Sequence, residues 1–474
     1  MKNDFKVGIF FTAIGQYSNI LIQFMVTVVL SRLLTPEDFG VVAIIQVFLV
    51  LFQILATAGM GPAIIQNKKL TDKDYGVLVN YSGVLSIILG LVFGIVGVIV
   101  SHIYDNPEFV ALFWWMDVVV VAECLNTVPN AILSKEKNFK ALNIRLVIAN
   151  VFGAIFGIGT ALLGMGVYAL IISVAIPAIV TLICNFIIVR IKWTTSFSLA
   201  PLKAVFGFAK NQFISTILNY FSRNLDNMLV GKYFGPDILG YYSKSYQLLV
   251  LPNMAISQIV APVLQPILSH YEEDISVIKD AYFKIINFLA VLAFPISFFM
   301  CLNADKIIYF LFGKQWQGAI LPLSILSLSI WAQLLSNIYG NIMQSRNQSK
   351  LLMRTVLIQT VITILSIILG VLSQDILKLS MLVAFAYSIN FFVANYILMK
   401  YTLKDKFRNL LKILLKPFLG GIVSAIIIVI SNPFTDFDSY FICLLSRGAI
   451  WLAVIFVYLI VTGEIKSIKS FFGK

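Results

Sequence analysis

Charge is scarce in this chain. Of its 474 residues only 12% are Asp, Glu, Lys or Arg, about half the ~25% usual in soluble proteins. A water-soluble fold of this length has too much surface to cover with so few charges. Cysteine is scarce too. Cys124, Cys184, Cys301 and Cys443 are scattered, with no CxxC or Cys/His spacing, so neither a zinc site nor a disulfide framework is suggested. There are two histidines, His102 and His270. Both fall in predicted loops and read as solvated surface. No metal and no cofactor is expected.

Long polar connections are missing as well. The outer loops reach about 16 residues and hold no clustered His/carboxylate pair, which leaves a membrane polymerase or ligase without a place for its chemistry. The protein is therefore not read as an enzyme. The ~10-residue alternating segments of an outer-membrane barrel are also lacking. Lys2 and Lys6 resemble the start of a signal peptide. The apolar segment behind them is too long, and no small-residue cleavage site follows, so it reads as a permanent span.

What the chain has in abundance is apolar length. Hydrophobic residues make up 59% of it, in runs of about 20, each enough to cross ~30 Å of hydrocarbon. The pattern predicts an all-α integral membrane protein of about 14 transmembrane helices. They run over 8–33, 39–66, 76–101, 109–133, 142–163, 166–189, 204–230, 239–268, 281–301, 318–344, 351–372, 379–399, 413–431 and 440–462. An even number puts both termini on one side. About 26 Lys and Arg fall in the connections on that side and about five on the other, so both termini are expected in the cytoplasm. Arg145 is counted among those connecting cations. The bias accounts for most of the net charge of +13, with lipid headgroups rather than nucleic acid as the partner. The stretches 402–416 and 464–474 read as basic and interfacial.

The chain also repeats itself. At an offset of 200, Asn19 meets Asn219, Pro36 meets Pro236, Gly40 meets Gly240 and Pro62 meets Pro262. In the first span Thr12, Gln16, Asn19, Gln23 and Thr27 form a polar stripe. Their partners in the seventh span are Gln212, Thr216, Asn219, Arg223 and Asn227. Each stripe covers an arc of roughly 80° at 100° per residue. A weaker echo pairs Ile132 and Lys140 with Ile342 and Lys350. Six spans separate the first stripe from the second, so the halves are parallel repeats. The expected architecture is two six-helix bundles around a central cavity, plus two C-terminal helices. The divisions are 1–200, 201–400 and 401–474.

A polar stripe cannot face lipid without losing its hydrogen-bond partners. It is expected to line the cavity. Substrate-binding candidates are Gln16, Asn19, Gln23, Asn219, Arg223, Asp226, Asn227 and Lys244. Two readings of Arg223 stand: an ion pair with Asp226 three residues on, or a bidentate site for phosphate oxygens. Asp117 and Glu123 are carboxylates inside the fourth span and candidates for ion coupling. Lys210 and Arg447 are the other cations inside spans. Pro36-Glu37-Asp38 and Gly235-Pro236-Asp237 read as turn chemistry at equivalent helix ends.

The runs SRLLTPEDFGVVAI (31–44), LDNMLVGKYFGPDILGYYSKSYQLLVLP (225–252) and FGKQW (312–316) resemble the signature regions of bacterial polysaccharide flippases. These are the Wzx-type O-antigen or teichuronic-acid exporters of the multidrug/oligosaccharidyl-lipid/polysaccharide superfamily. The resemblance spans essentially the whole chain. It implies an alternating-access carrier of undecaprenyl-pyrophosphate-linked oligosaccharide in the bacterial cytoplasmic membrane. It also implies Arg223 as a cavity cation and polysaccharide polymerase or assembly proteins as partners. A cation-coupled drug exporter and a lipid II flippase are the rival readings.

Overall fold

The computed structural model describes the backbone of residues 2–57, 60–67, 70–192, 194–202, 220, 224–269, 271–272 and 274–463. Side chains are described from residue 15 onward except 255–269. Every regular element among these residues is a helix. The chain forms two compact units, Met1–Gly240 and Tyr241–Lys474. The first holds α1 (Lys2–Leu33), α2 (Pro36–Thr57), α3 (Met60–Gln66), α4 (Asp72–Ile103), α5 (Glu108–Lys135), α6 (Phe139–Leu162) and α7 (Val167–Ile188). It also holds the described part of α8, residues 224–234. Next come α9 (Pro236–Ser269), whose first turn belongs to the first unit, α10 (Ile275–Leu302) and α11 (Ala304–Leu311). The rest of the second unit is α12 (Ile320–Ser327), α13 (Ile330–Ser345), α14 (Ser349–Leu372), α15 (Ile376–Ile397), α16 (Phe407–Thr435) and α17 (Tyr440–Val461).

Nine helical stretches among the described residues are long and apolar enough to cross a membrane. A tenth is added if the pair 314–327 and 330–345, bent by 50°, counts as one span. The protein is a multi-pass membrane protein. Its outward faces confirm the solvent they meet: Ile87, Leu91 and Ile95 on α4 and Met353, Val361 and Leu369 on α14 are exposed. Such a surface is stable only in hydrocarbon.

Capping residues start the helices where the sequence places turn chemistry. Pro36 opens α2, and Asp38 accepts from the Thr35 backbone N–H at 2.9 Å and the Thr35 hydroxyl at 2.8 Å. Asp74 does the same for Thr71 at the head of α4, at 2.8 Å to each donor. Asp274 and Asp375 cap α10 and α15. Each satisfies donors a helix leaves open at its first turn. The stretch 402–416, expected to be interfacial, runs from the end of a π turn (Leu398–Thr402) into the first turns of the continuous helix α16. His102, expected in a loop, lies in the last turn of α4, where its Nδ1 is 2.8 Å from the Val98 carbonyl.

The weaker echo has a structural counterpart. After α5, Lys137 has φ +58°. Lys137 and Asn138 donate from their backbones to Ser134 and Leu133. After α13, 210 residues on, Asn347 has φ +54°. Asn347 and Gln348 donate to Gln344 and Met343 in the same pattern. One turn thus closes two helices in the same way.

In the first unit α5 is the central element, packed by α2, α3, α4, α6 and α7. Close approach comes from small residues. Gly94 of α4 lies against Trp114, and Gly157 of α6 against Ser173 of α7. In the second unit α10 is central. Trp331 of α13 stacks on Phe294 at 5.0 Å and meets Phe391 edge-on at 5.1 Å.

Candidate functional site

The polar stripe of α1 is present in part. Gln16 and Gln23 are exposed and Asn19 is half-buried. The Asn19 Oδ1 is shielded from solvent with no hydrogen-bond partner. In α8, Asp226 is 5% exposed, and its Oδ1 accepts from the Asn227 backbone N–H at 2.9 Å. Asn227 is half-buried with an unpartnered Oδ1. Asn224, one turn back, donates to the Tyr220 carbonyl at 3.0 Å. Asn219 and Arg223, like Lys210, Gln212 and Thr216, lie outside the described residues. So do the side chain of Thr12 and all of His270.

Lys244 is 3% exposed. Its ammonium lies 5.1 Å from the centre of the Phe312 ring and 5.4 Å from that of Trp316. Ser245 beside it donates to the Ala319 carbonyl at 2.8 Å. Lysine and aromatic faces attract through the ring quadrupole, more so away from water. The FGKQW segment and the YYSK segment of α9 are therefore two halves of one contact.

Arg447 is 4% exposed in α17. Its Nη1 donates to Asn303 Oδ1 at 3.0 Å and its Nε to Thr435 Oγ1 at 3.2 Å. Asp436 Oδ1 is 3.6 Å from Nη2 and 3.0 Å from the Lys306 ammonium. This cation ties the α10–α11 corner to the α16–α17 turn.

The two intramembrane carboxylates differ in setting. Asp117 packs against Gly90 of α4, and its Oδ1 is shielded and unpartnered. Glu123 is half-buried and within electrostatic range of Arg145 of α6. Arg145 corrects the sequence reading. Counted as a cytoplasmic connection, it lies two turns inside α6 and is 7% exposed, with Nη1 unpartnered. Asn138 caps α6 early, which draws Arg145 into the bundle.

Below Glu123, Asn185 of α7 donates to Asn126 Oδ1 at 2.5 Å and to Asn130 Oδ1 at 3.0 Å. This buried amide cluster was not among the candidates. Its signal is legible: Glu123, Asn126, Thr127 and Asn130 fall on one face of α5 at helical spacing.

The arrangement offers hydrogen bonds and charge inside a membrane bundle. That defines the class as a polytopic carrier-like protein. Known structures agree on the fold. The inward closed conformation of the lipid II flippase MurJ superposes with a TM-score of 0.78 at 14% identity, over 96% of this chain and 99% of that one. An inward-facing multidrug resistance MATE family transporter superposes with a TM-score of 0.62 at 17% identity, over 81% and 95%.

The family model described as "Polysaccharide biosynthesis protein" matches residues 29–321, more than half of the chain. The chain belongs to that family. It is 23% identical over 416 residues to the teichuronic acid biosynthesis protein TuaB of Bacillus subtilis (strain 168), covering 87% of this chain and 86% of that one. It is 20% identical over 392 residues to the lipopolysaccharide biosynthesis protein WzxC of Escherichia coli (strain K12), covering 82% and 80%.

Proposed function

We propose that the protein is a flippase. It carries oligosaccharide units linked to undecaprenyl pyrophosphate across the bacterial cytoplasmic membrane for a surface polysaccharide. One observation carries the reading: a polysaccharide biosynthesis family chain sets Asp226 and Asn227, and by sequence Arg223, in the middle of an apolar helix. An intramembrane charge costs about 2.5–3.5 kcal/mol on insertion scales, and a transported anion is a reason to keep it.

In this reading Arg223 grips the pyrophosphate with its planar fork, and Asp226 holds the guanidinium between loads. Asn219, Asn227, Gln16, Asn19 and Gln23 offer hydrogen bonds to sugar hydroxyls. Lys244, enclosed by Phe312 and Trp316, supports the segment that carries FGKQW. Glu123, within electrostatic range of Arg145, and Asp117 are the groups for ion coupling. No covalent step is needed. The isoprenoid tail stays in the bilayer while the headgroup crosses. Both termini lie in the cytoplasm, and polymerase or assembly proteins take the unit on the far side.

The test uses a strain lacking the gene, complemented with Arg223→Ala or Arg223→Lys at confirmed expression. Surface polysaccharide and lipid-linked oligosaccharide on the cytoplasmic leaflet are measured together. Loss of the first with accumulation of the second, worse for Ala, is expected. Normal surface polysaccharide in the deletion strain itself would sink the reading.

A further inference from the structure

The repeat at offset 200 is a physical crossing as well as a sequence pattern. Gly40 is buried in the second turn of α2, and a Cβ built on it would lie 2.5 Å from the carbonyl carbon of Pro236 and 2.9 Å from its Cα. Gly240 is buried in the second turn of α9. A Cβ there would lie 2.9 Å from the carbonyl carbon of Pro36 and 3.3 Å from its Cα. Each glycine thus receives the proline that opens the other's helix. The contact is reciprocal, and its members, 36 with 236 and 40 with 240, are the aligned positions of the repeat. Two backbones touch with no side chain between them, as small residues permit in membrane bundles.

Further contacts gather at the same end. Tyr104, just past α4, donates its hydroxyl to the Met228 carbonyl at 3.1 Å. Lys232 donates to the Ile103 carbonyl and Tyr220 to the Val47 carbonyl. Gly231 packs against Ile44 of α2. All these residues lie in the first unit. All but the Tyr220–Val47 bond, which lies about three turns further in, belong to the end at which α1 finishes, remote from the chain start. Among the described residues, 220 and 224–240 meet the rest of the unit through this backbone crossing, the Gly231 packing and these side-chain to backbone bonds.

We infer that Pro36–Gly40 and Pro236–Gly240 form the outer gate of the transport cycle, shut in this structure and parted when the headgroup leaves. The inference rests on the flippase reading for what passes, but not for the gate itself. The physical case is the mode of closure. Interdigitated side chains would have to unlock one by one. Two smooth backbones separate as a unit, and the carbonyls of Met228, Ile103 and Val47 remain in their own helices when their partners withdraw. The reciprocal geometry lets one contact serve both repeats, so neither can shut without the other.

The test introduces Asn224→Cys, half-buried on α8 and given no part in binding, as a reporter in the full-length protein in cells, with the unmodified chain as the background for native thiols. A membrane-impermeant maleimide is applied from outside. Gly40→Val and Gly240→Val are each combined with the reporter. Each is expected to raise external labelling several-fold, because a branched side chain cannot fit under the opposing proline carbonyl. Tyr104→Phe, which keeps volume and loses one hydrogen bond, is expected to raise it less.

Unchanged labelling in both glycine variants at normal membrane levels would overturn the gate. If the valine variants fail to accumulate, Gly40→Ala and Tyr104→Phe decide by the same readout. A second experiment pairs Glu37→Cys with Asp237→Cys, the aligned positions beside the prolines. A short thiol-bridging reagent is expected to block surface polysaccharide, with recovery when a cleavable version is reduced; continued transport with the bridge in place would refute the gate. Labelling does not depend on the cargo. A normal labelling response with no polysaccharide phenotype would therefore reject the substrate and keep the gate.

Discussion

Arg447 of α17 donates to Asn303 at 3.0 Å, from two turns inside one apolar helix to the corner where α10 meets α11. The same guanidinium holds Thr435 and approaches Asp436 at the α16–α17 turn. A lone arginine in a terminal span looks like a functional cation in sequence, and its partners make it a brace.

Arg447→Met should therefore lower stability. Losing the cation leaves Asn303 Oδ1 buried without its donor, which costs about 1–3 kcal/mol. Thermal unfolding of the purified protein in detergent should shift down, and Asn303→Leu in the same background should recover part of the loss. An unchanged melting temperature for Arg447→Met would show that the brace carries no stability.

The exposed part of this network should respond to pH. The Lys306 hydrogen bond, and then its charge, hold the Asp436 carboxyl below its usual range. Lys306 is raised, first by its hydrogen bond to Asp436. A depressed carboxylate contributes above its unfolded pKa, ~3.9, and loses that contribution as pH falls through the folded value. A raised lysine contributes below its unfolded pKa, ~10.4, and loses it as pH rises through the folded value. The pair should thus act between these limits, and Asp436→Asn should flatten the acid side of the stability profile. An identical acid limb in the variant would contradict this. The effect will be small, since Asp436 is solvent-exposed and screened.

Trp316→Ala should cost about 3–5 kcal/mol, the usual range for a fully buried tryptophan. Lys244→Met should cost less, because a flexible apolar chain of similar length still fills the space beside Phe312 and Trp316. Transport by Lys244→Met at normal membrane levels is the deciding measurement. Near-normal flux is expected from a supporting residue. Loss of flux with unchanged stability would move Lys244 to the substrate.

Asn185→Leu leaves two amide oxygens, on Asn126 and Asn130, without their donor. Interhelical hydrogen bonds in membranes average about 0.6 kcal/mol each, so a loss of about 1 kcal/mol is expected, read as a modest fall in melting temperature. Glu123→Gln should leave stability near normal and reduce transport, with a weakened response to a protonophore. A variant that transports as well as the parent would remove Glu123 from the coupling role.

How much of this was legible depended on where each polar group sits. The spans were plain because twenty apolar residues have one use. The repeat was visible in Pro36, Gly40, Pro236 and Gly240, yet nothing in sequence says that aligned positions touch each other. The α5 stripe could have been read from Glu123, Asn126 and Asn130, but its partner Asn185 is distant in sequence. Arg145 was misplaced because a cation near a span boundary looks like topology, and only the early cap at Asn138 shows otherwise. Arg447 and Lys244 were visible as cations, while their roles were set by Asn303 and Trp316, which carry no charge to announce them.

The amide cluster also bears on how the chain is made. Asn126 and Asn185 are 59 residues apart, and α5 leaves the ribosome well before α7. Until α7 arrives, α5 holds Glu123, Asn126 and Asn130 with no donor from Asn185. A helix so marked partitions poorly into lipid alone. It must wait at the translocation machinery, or beside α4, until its later partner emerges. The order of synthesis is thereby written into the packing, and a premature stop between α5 and α7 would leave a helix that the bilayer rejects.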